Sequence, residues 1–311
     1  MVTNGEVNLI SIGGASRSGS TLLSLLLGRV NGAFPVGELR YIWSRGFLQN
    51  QLCGCGVPFR SCSFWRAVLE EAYGSLEQVP IHEIIALHAS VAQVRYLPNL
   101  MSPVITPRFQ TRVKAYLPHL ERLCRAIRSV SGASILIDSS KQPAFCYLMT
   151  RLSGANVRLV QLVRDSRAVA FSYRRKKTKP DSHWGEAYMT QFSPPKSAFH
   201  WIALNLAMEG IRAIRVPCQL IRYEDLVRDP GRTLQRIHPS IGEMPQAVPS
   251  DEEMSLTTNH SVSGNPIRFQ KGSIRVHLDT DWEQRMSRSD RLVVSAITLP
   301  LLIRYKYVGA R

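Results

Sequence analysis

Ser11-Ile12-Gly13-Gly14-Ala15-Ser16-Arg17-Ser18-Gly19-Ser20-Thr21-Leu22-Leu23 is the stretch from which the rest of the chain can be read. An apolar, β-prone run, Val7 to Ile12, leads into it. Leu22-Leu23-Ser24-Leu25-Leu26-Leu27 leaves it as the start of a buried helix. A strand, a small-residue loop and a helix in that order form a phosphate cradle. Backbone N–H groups at the helix start point into the loop, and the helix dipole adds partial positive charge there. Glycines let the backbone approach an anion without a Cβ in the way. From Gly14 the register is Gly-x-x-x-x-Gly-Ser-Thr. A nucleotide-triphosphate P-loop carries Lys where this chain has Ser20. The cation sits inside the loop instead, as Arg17. Without that lysine the β/γ-phosphates lose their usual charge partner, which weakens an ATPase or GTPase reading.

Composition bounds the partners. The 311 residues carry a formal net charge of +16, an excess that suits a polyanionic ligand, a nucleic acid or an anionic membrane surface. The basic residues are dispersed, and no aromatic–basic repeat or recognition helix stands out. Nucleic acid is therefore not the expected partner, although a basic nucleic-acid-binding protein stays as an alternative. Met1 to Glu6 is polar and has no h-region. The longest apolar run, Leu292 to Ile303, is bracketed by Arg291 and Arg304, is broken by Pro300 and is too short to span a bilayer. The expectation is a cytoplasmic protein without a transmembrane segment, with that run as a buried C-terminal helix. Of the six cysteines, Cys53-Gly54-Cys55 and Cys62 form a local cluster. A CxC with one further Cys and no nearby His is poor zinc spacing, so no metal is expected and the thiols are read as free.

Further along, Val30 to Gly37 reads as a return to the surface. Glu38 then precedes a helix over Leu39 to Trp43. Residues 46–62 form a Gly/Cys-rich loop. Helices follow at Ser63 to Tyr73, Pro80 to Tyr96 and Thr111 to Val130, the last with Val113, Tyr116, Leu117, Leu120, Leu123 and Ile127 at helical spacing. Together they make a mostly helical insertion, roughly 45–130, with no legible chemistry. Ser134 to Asp138 is a short strand, and Ser139-Ser140-Lys141-Gln142-Pro143 places Lys141 at the carboxyl edge of the sheet, where open α/β sheets bind ligands. Val157 to Val163 is the next strand and runs into Arg164. Arginine makes bidentate contacts to phosphate oxygens, and a serine hydroxyl such as Ser172 adds a donor. Thr178 to Pro195, with His183, Trp184 and Glu186, is a polar loop suited to a lid. Val216 to Arg222 is a further strand, turning at Tyr223 into a helix. Strands alternating with helices give an α/β fold, a P-loop-like parallel sheet flanked by helices, with residues 1–311 as one domain.

The segment Gly14-Ala15-Ser16-Arg17-Ser18-Gly19-Ser20-Thr21 resembles the 5′-phosphosulfate loop of sulfotransferases that use 3′-phosphoadenosine 5′-phosphosulfate (PAPS). It is closer to the Golgi-type and bacterial members, with Arg-Ser-Gly, than to the cytosolic type, with Lys-Ser-Gly-Thr. Three further segments resemble the family in the same order. The resemblance implies that Gly14, Ser16, Arg17, Ser18, Gly19, Ser20 and Thr21 hold the 5′-phosphosulfate. It implies that Arg164 and Ser172 grip the ribose 3′-phosphate, that Tyr223 lies near the adenine, and that Lys141 lies beside the transferring sulfonate. The spacing from Arg17 to Gly37-Glu38 matches that of tyrosylprotein sulfotransferases and implies Glu38 as the catalytic base, with His183 in reserve. Ser261 to Gly272 resembles the loop that closes over the nucleotide. Its Lys271-Gly272 fits, but Gln270 stands where the cytosolic type has Arg, which shifts the grip toward Arg268. The implied activity is sulfonate transfer from PAPS, without a metal, to a hydroxyl-bearing acceptor (small molecule, glycan, lipid or peptide), and less readily to an amine. A P-loop nucleotide kinase or hydrolase is the other enzymatic alternative.

Overall fold

The structure is a computed structural model that describes residues 7–182, 187–237, 253–256, 258–270 and 272–309. The first strand, β1 (Val7–Gly13), is buried at all but one position. Its near-continuous apolar run is what a strand covered on both faces requires. α1 (Ser20–Leu27) follows. At eight residues it is too short to persist alone. Burial of Leu23, Leu26 and Leu27 in one cluster with Ile10, Ile12, Ile137 and Val160 holds it in place, each leucine contributing roughly 2 kcal/mol.

The chain then forms β2 (Ala33–Gly37), where the sequence reading expected only a surface return. Pro35 explains the discrepancy. Proline is excluded from central strands but tolerated at an edge, and β2 is the edge, paired in parallel with β3 (Ile135–Lys141) alone. β3 also runs three residues beyond Asp138, so Lys141 ends the strand. The sheet is completed by β4 (Ala155–Val163) and β5 (Cys218–Arg222) in the order β2-β3-β1-β4-β5, all neighbours parallel. From β1 the chain moves to the β2–β3 side, and from β4 it moves the other way to β5. The crevice between the carboxyl ends of β1 and β4 is therefore the topological switch point, where open α/β sheets bind ligands.

Between β2 and β3 the chain is helical. A 3₁₀ turn (Leu39–Tyr41) and a π-helical stretch (Ile42–Leu48) stand where an α-helix was expected. After them come α2 (Ser63–Tyr73), α3 (Ile81–Val91), the short α4 (Leu97–Met101) and α5 (Pro107–Ser131). The expected single helix Pro80 to Tyr96 breaks after Val91, and α5 starts earlier than expected because Pro107 suits a first helical turn. Trp43, Phe59, Trp65 and Tyr116 are fully enclosed in the core of this region.

The remaining helices are α6 (Pro143–Met149), α7 (Ser166–Arg174), α8 (Pro194–Ala213), α9 (Tyr223–Arg228), α10 (Pro230–Ile237), α11 (Asp281–Arg285) and α12 (Arg288–Arg304). A small antiparallel hairpin pairs β6 (Glu253–Leu256) with β7 (Gly272–Arg275). α12 packs on α7 and α8. It is a surface helix, not the buried one expected: Val294, Leu301 and Leu302 face inward, while Leu292 and Ile303 lie mostly exposed. Among the described residues no helix is long and apolar enough to cross a membrane.

Candidate active site

The loop after β1 is built on two glycines whose reasons are packing reasons. Gly14 adopts φ 130°, and a Cβ there would strike the Leu162 carbonyl of β4. Its N–H donates to the Lys141 carbonyl at 3.0 Å, which ties the end of β1 to the end of β3. Gly19, the N-cap of α1, has φ 87°, and a Cβ there would strike the Tyr223 ring. Arg17 itself lies in the left-handed region at φ 69°, a conformation that costs a non-glycine residue about 1 kcal/mol or more. That backbone turn brings its side chain to the mouth of the switch-point crevice.

The crevice opens into a cavity of about 630 Å³. From the first loop it is lined by Ser16, Arg17, Gly19, Ser20 and Thr21. Glu38 and Lys141 face it from the ends of β2 and β3, and Arg164, Ser172 and Tyr223 from beyond β4 and β5. Arg17 and Arg164 thus share one cavity, and the Arg164 Nη1 donates to the Arg17 carbonyl at 3.2 Å. Gly14, Ser18 and Gly272 do not line it; Gly272 is exposed at the start of β7. Lys271 and His183 lie outside the described residues. A larger groove, about 800 Å³, runs along α5 beside Arg122, Arg125 and Arg128. It lies by the amino end of β3, where Gly132, Ala133 and Ser134 line it, and not at the carboxyl ends of the strands; it receives none of the loops just described, so the chemistry is placed in the smaller cavity.

Two ion pairs mark the ends of this cavity. At one end the Lys141 Nζ lies 2.6 Å from the Glu38 Oε1, both side chains nearly buried. Lys141 is held there by a left-handed backbone, φ 66°. Glu38 is placed by its own N–H, which donates to the Val262 carbonyl at 2.7 Å. Asp138 fixes the turn that follows: buried completely, it accepts from the Leu39 N–H and from the hydroxyls of Ser11 and Ser140. Burial pushes the Asp138 carboxyl up to about 6, against the pull of those hydrogen bonds. At the other end Arg164 meets Asp279, Nη2 to Oδ2 at 3.1 Å, and its guanidinium lies over the Tyr223 ring at 4.5 Å. Between the pairs, burial lowers the affinity of Arg17 for its proton, while Tyr173 and Glu38 act in the opposite direction.

Arg268 corrects the sequence reading. It was expected to reach a phosphate, yet it does not line the cavity. Its guanidinium is 2 % exposed and donates to the carbonyls of Ser261 and Leu52, with Asp181 completing the set at 3.2 Å. The loop it belongs to does border the cavity, through Gly264, Asn265 and Ile267. The Asn265 N–H donates to the Thr21 hydroxyl at 3.3 Å, which ties this loop to α1. Sequence reasoning missed Tyr41, Arg45, Tyr173, Lys177 and Asp279, all of which line the cavity. Lys177 had a signal in the basic run Arg174-Arg175-Lys176-Lys177, whereas Asp279 sits in a polar tail without a motif. The reading of the cysteine cluster also changes, because the histidine absent from its neighbourhood in sequence is supplied across the fold by His260.

A parallel sheet with cationic loops converging on its switch point is an α/β fold whose crevice suits an anion. The chain belongs to the sulfotransferase family: the family's model matches residues 10–244. Among solved structures the fold is similar to a sulfotransferase domain from the curacin biosynthetic pathway, at 14% identity and TM-score 0.50, covering 94% of this chain and 98% of that one. A sulfotransferase domain from the Synechococcus PCC 7002 olefin synthase aligns at 17% identity and TM-score 0.49, covering 97% of each chain. No curated protein sequence matches.

Proposed function

We propose that the protein transfers the sulfonate group of PAPS to an acceptor hydroxyl. The observation that carries this reading is that Arg17, Arg164 and the Glu38–Lys141 pair all face one cavity at the switch point. The 5′-phosphosulfate is assigned to Arg17 and the loop from Ser16 to Thr21. The ribose 3′-phosphate is assigned to Arg164 and Ser172, with Tyr223 bordering the adenine. The sulfur–oxygen bond to the acceptor forms as the bond to the bridging phosphate oxygen breaks. The electron pair stays with adenosine 3′,5′-bisphosphate, and the acceptor proton passes to Glu38. Charge spreads over the sulfonate and the departing oxygen, so the protein contributes positioning and preorganised positive charge. Lys141 leaves Glu38 for the bridging oxygen when the donor binds, which frees the carboxylate to accept the proton.

Two measurements test this. Adenosine 3′,5′-bisphosphate raises the thermal midpoint, by the equivalent of about 2.7 kcal/mol at a hundred times its Kd, whereas ATP at the same concentration does not. Equal stabilisation by ATP overturns the donor assignment. With labelled PAPS and a panel of phenolic, sugar and lipid hydroxyls, Glu38→Gln lowers kcat by about 10²–10⁴-fold and leaves bisphosphate affinity within a factor of a few. Turnover that survives in Glu38→Gln shifts the proton to another group.

A further inference from the structure

Cys53, Cys55 and Cys62 lie in the loop that precedes α2, and His260 lies 198 residues beyond the last of them. Their four ligand atoms fall within 4.8 Å of one another. The separations have a definite geometry. The Cys62 Sγ lies 3.8 Å from that of Cys53 and 3.7 Å from that of Cys55. The His260 Nδ1 lies 3.6 Å from the Cys53 Sγ and 3.3 Å from the Cys62 Sγ. Zinc bonds sulfur at about 2.3 Å and imidazole nitrogen at about 2.0–2.1 Å, so a regular tetrahedron sets sulfurs about 3.8 Å apart and sulfur–nitrogen pairs about 3.6 Å apart. The four separations just given lie within about 0.3 Å of those edges, and the other two, Cys53 to Cys55 and Cys55 to His260, are no longer than 4.8 Å. None of the three cysteines is in a disulfide.

The surroundings hold the ligands in this arrangement. The Cys53 carbonyl accepts from the Gly56 N–H and the Cys53 N–H donates to the Val57 carbonyl, forming a tight turn around the CxC pair. A Cβ on Gly54 would collide with Asn259, so only glycine lets the two segments approach this closely. The His260 ring stacks on Phe64 at 4.8 Å and 16°, and the Trp65 Nε1 donates to the His260 carbonyl at 2.8 Å. Both aromatic residues belong to α2, so the imidazole is oriented by a helix that starts beside Cys62.

We propose that Cys53, Cys55, Cys62 and His260 bind one zinc ion in a closed Cys₃His site. Thiolate and imidazole ligands suit zinc and reject magnesium or calcium. Four protein ligands fill its tetrahedron, which makes the site structural and leaves no open position for a substrate. Its position gives it a purpose. It clips the helical region to the segment 258–268, whose Val262 carbonyl holds the Glu38 N–H and whose Asn265 N–H meets Thr21. From two residues away, zinc would fix the Val262 carbonyl that accepts from the Glu38 N–H.

The test uses the full chain purified under reducing conditions. Elemental analysis is expected to find about one zinc per chain. Chelation should lower the thermal midpoint, and added zinc should restore it. Cys55→Ser and His260→Gln are expected to lose the metal, while Cys218→Ser, outside the cluster, retains it. Because a ligand variant can fail to fold, the deciding measurement is made on the unaltered chain. Stripped protein titrated with Co²⁺ should develop the intense visible bands of a tetrahedral site and a thiolate-to-cobalt charge-transfer band, saturating at one equivalent. Weak octahedral cobalt absorption, or a disulfide within the cluster in the reduced preparation, overturns the proposal.

Discussion

Arg164 and Arg268 are the two arginines that the sequence assigned to phosphate binding outside the first loop, and the structure separates them. Both are buried, at 7 % and 2 % exposure, and both leave Nε without a hydrogen-bond partner. The difference lies in their other nitrogens. Arg268 is saturated at short range by fixed groups: the Ser261 carbonyl at 2.6 Å, the Leu52 carbonyl at 3.0 Å and the fully enclosed Asp181. Arg164 has longer bonds to carbonyls, at 3.2 Å and 3.4 Å, and its ion pair at 3.1 Å is with Asp279, whose side chain is a third exposed. It also opens into the cavity. A buried guanidinium is available to a ligand only when its present partners can be displaced. Main-chain carbonyls inside a packed loop cannot be displaced cheaply, but a carboxylate that already reaches water can.

The contrast breaks most visibly at Arg268. Arg268→Ala leaves Asp181 buried without its counter-charge, a loss of about 3–5 kcal/mol. The thermal midpoint is expected to fall by on the order of 5–15 °C, read by calorimetry. An unchanged midpoint would return Arg268 to the list of ligand groups. Arg164→Ala is expected to behave in the opposite sense. A charge-assisted bond to an anion is worth about 1.5–3 kcal/mol, so adenosine 3′,5′-bisphosphate should bind about 10–100-fold more weakly by titration calorimetry. The midpoint of the ligand-free protein should move far less than in Arg268→Ala, because the carboxylate left behind is already partly hydrated. A large fall in stability with intact affinity would reverse the two assignments.

The same contrast explains what could be read in advance. Strands β1, β3, β4 and β5 were legible because each is a short apolar run, and a parallel sheet flanked by helices then follows from alternating strands and helices. The place of Arg17, Lys141 and Arg164 at the carboxyl edge of the sheet was legible because Arg164 follows directly on such a run and the other two come within a few residues of one, and in a parallel sheet that edge is where ligands bind. β2 was not, since Pro35 masks an edge strand. Arg268 was misread because a basic residue in a loop carries no local sign of its partners, and Asp181 and Leu52 are remote in sequence. His260 was invisible for the same reason: a ligand set closed by a residue 198 positions away has no spacing to recognise. Local periodicity and loop chemistry are written in the sequence, whereas long-range polar partners depend on how the helical region folds against the strap at 258–268.

The finest test of the comparison is Asp279 itself. Burial pushes its carboxyl up, but the Arg164 guanidinium overrides this and holds it below the ordinary carboxylate range. It is therefore charged at neutral pH and competes with any phosphate for Arg164. With the Asp279 side chain a third exposed, the pair is worth only about 0.2–1 kcal/mol, so the competition is mild. Asp279→Asn keeps the shape and removes the charge. Affinity for adenosine 3′,5′-bisphosphate is expected to rise by about 1.5–5-fold, with the gain shrinking as salt screens the charge. The gain should vanish when Arg164→Ala is combined with it, because the carboxylate then has no cation to withhold. Weaker binding in Asp279→Asn would mean that the carboxylate positions Arg164 for the ligand, and that the displaceable partner distinguishing the two arginines is part of the binding surface.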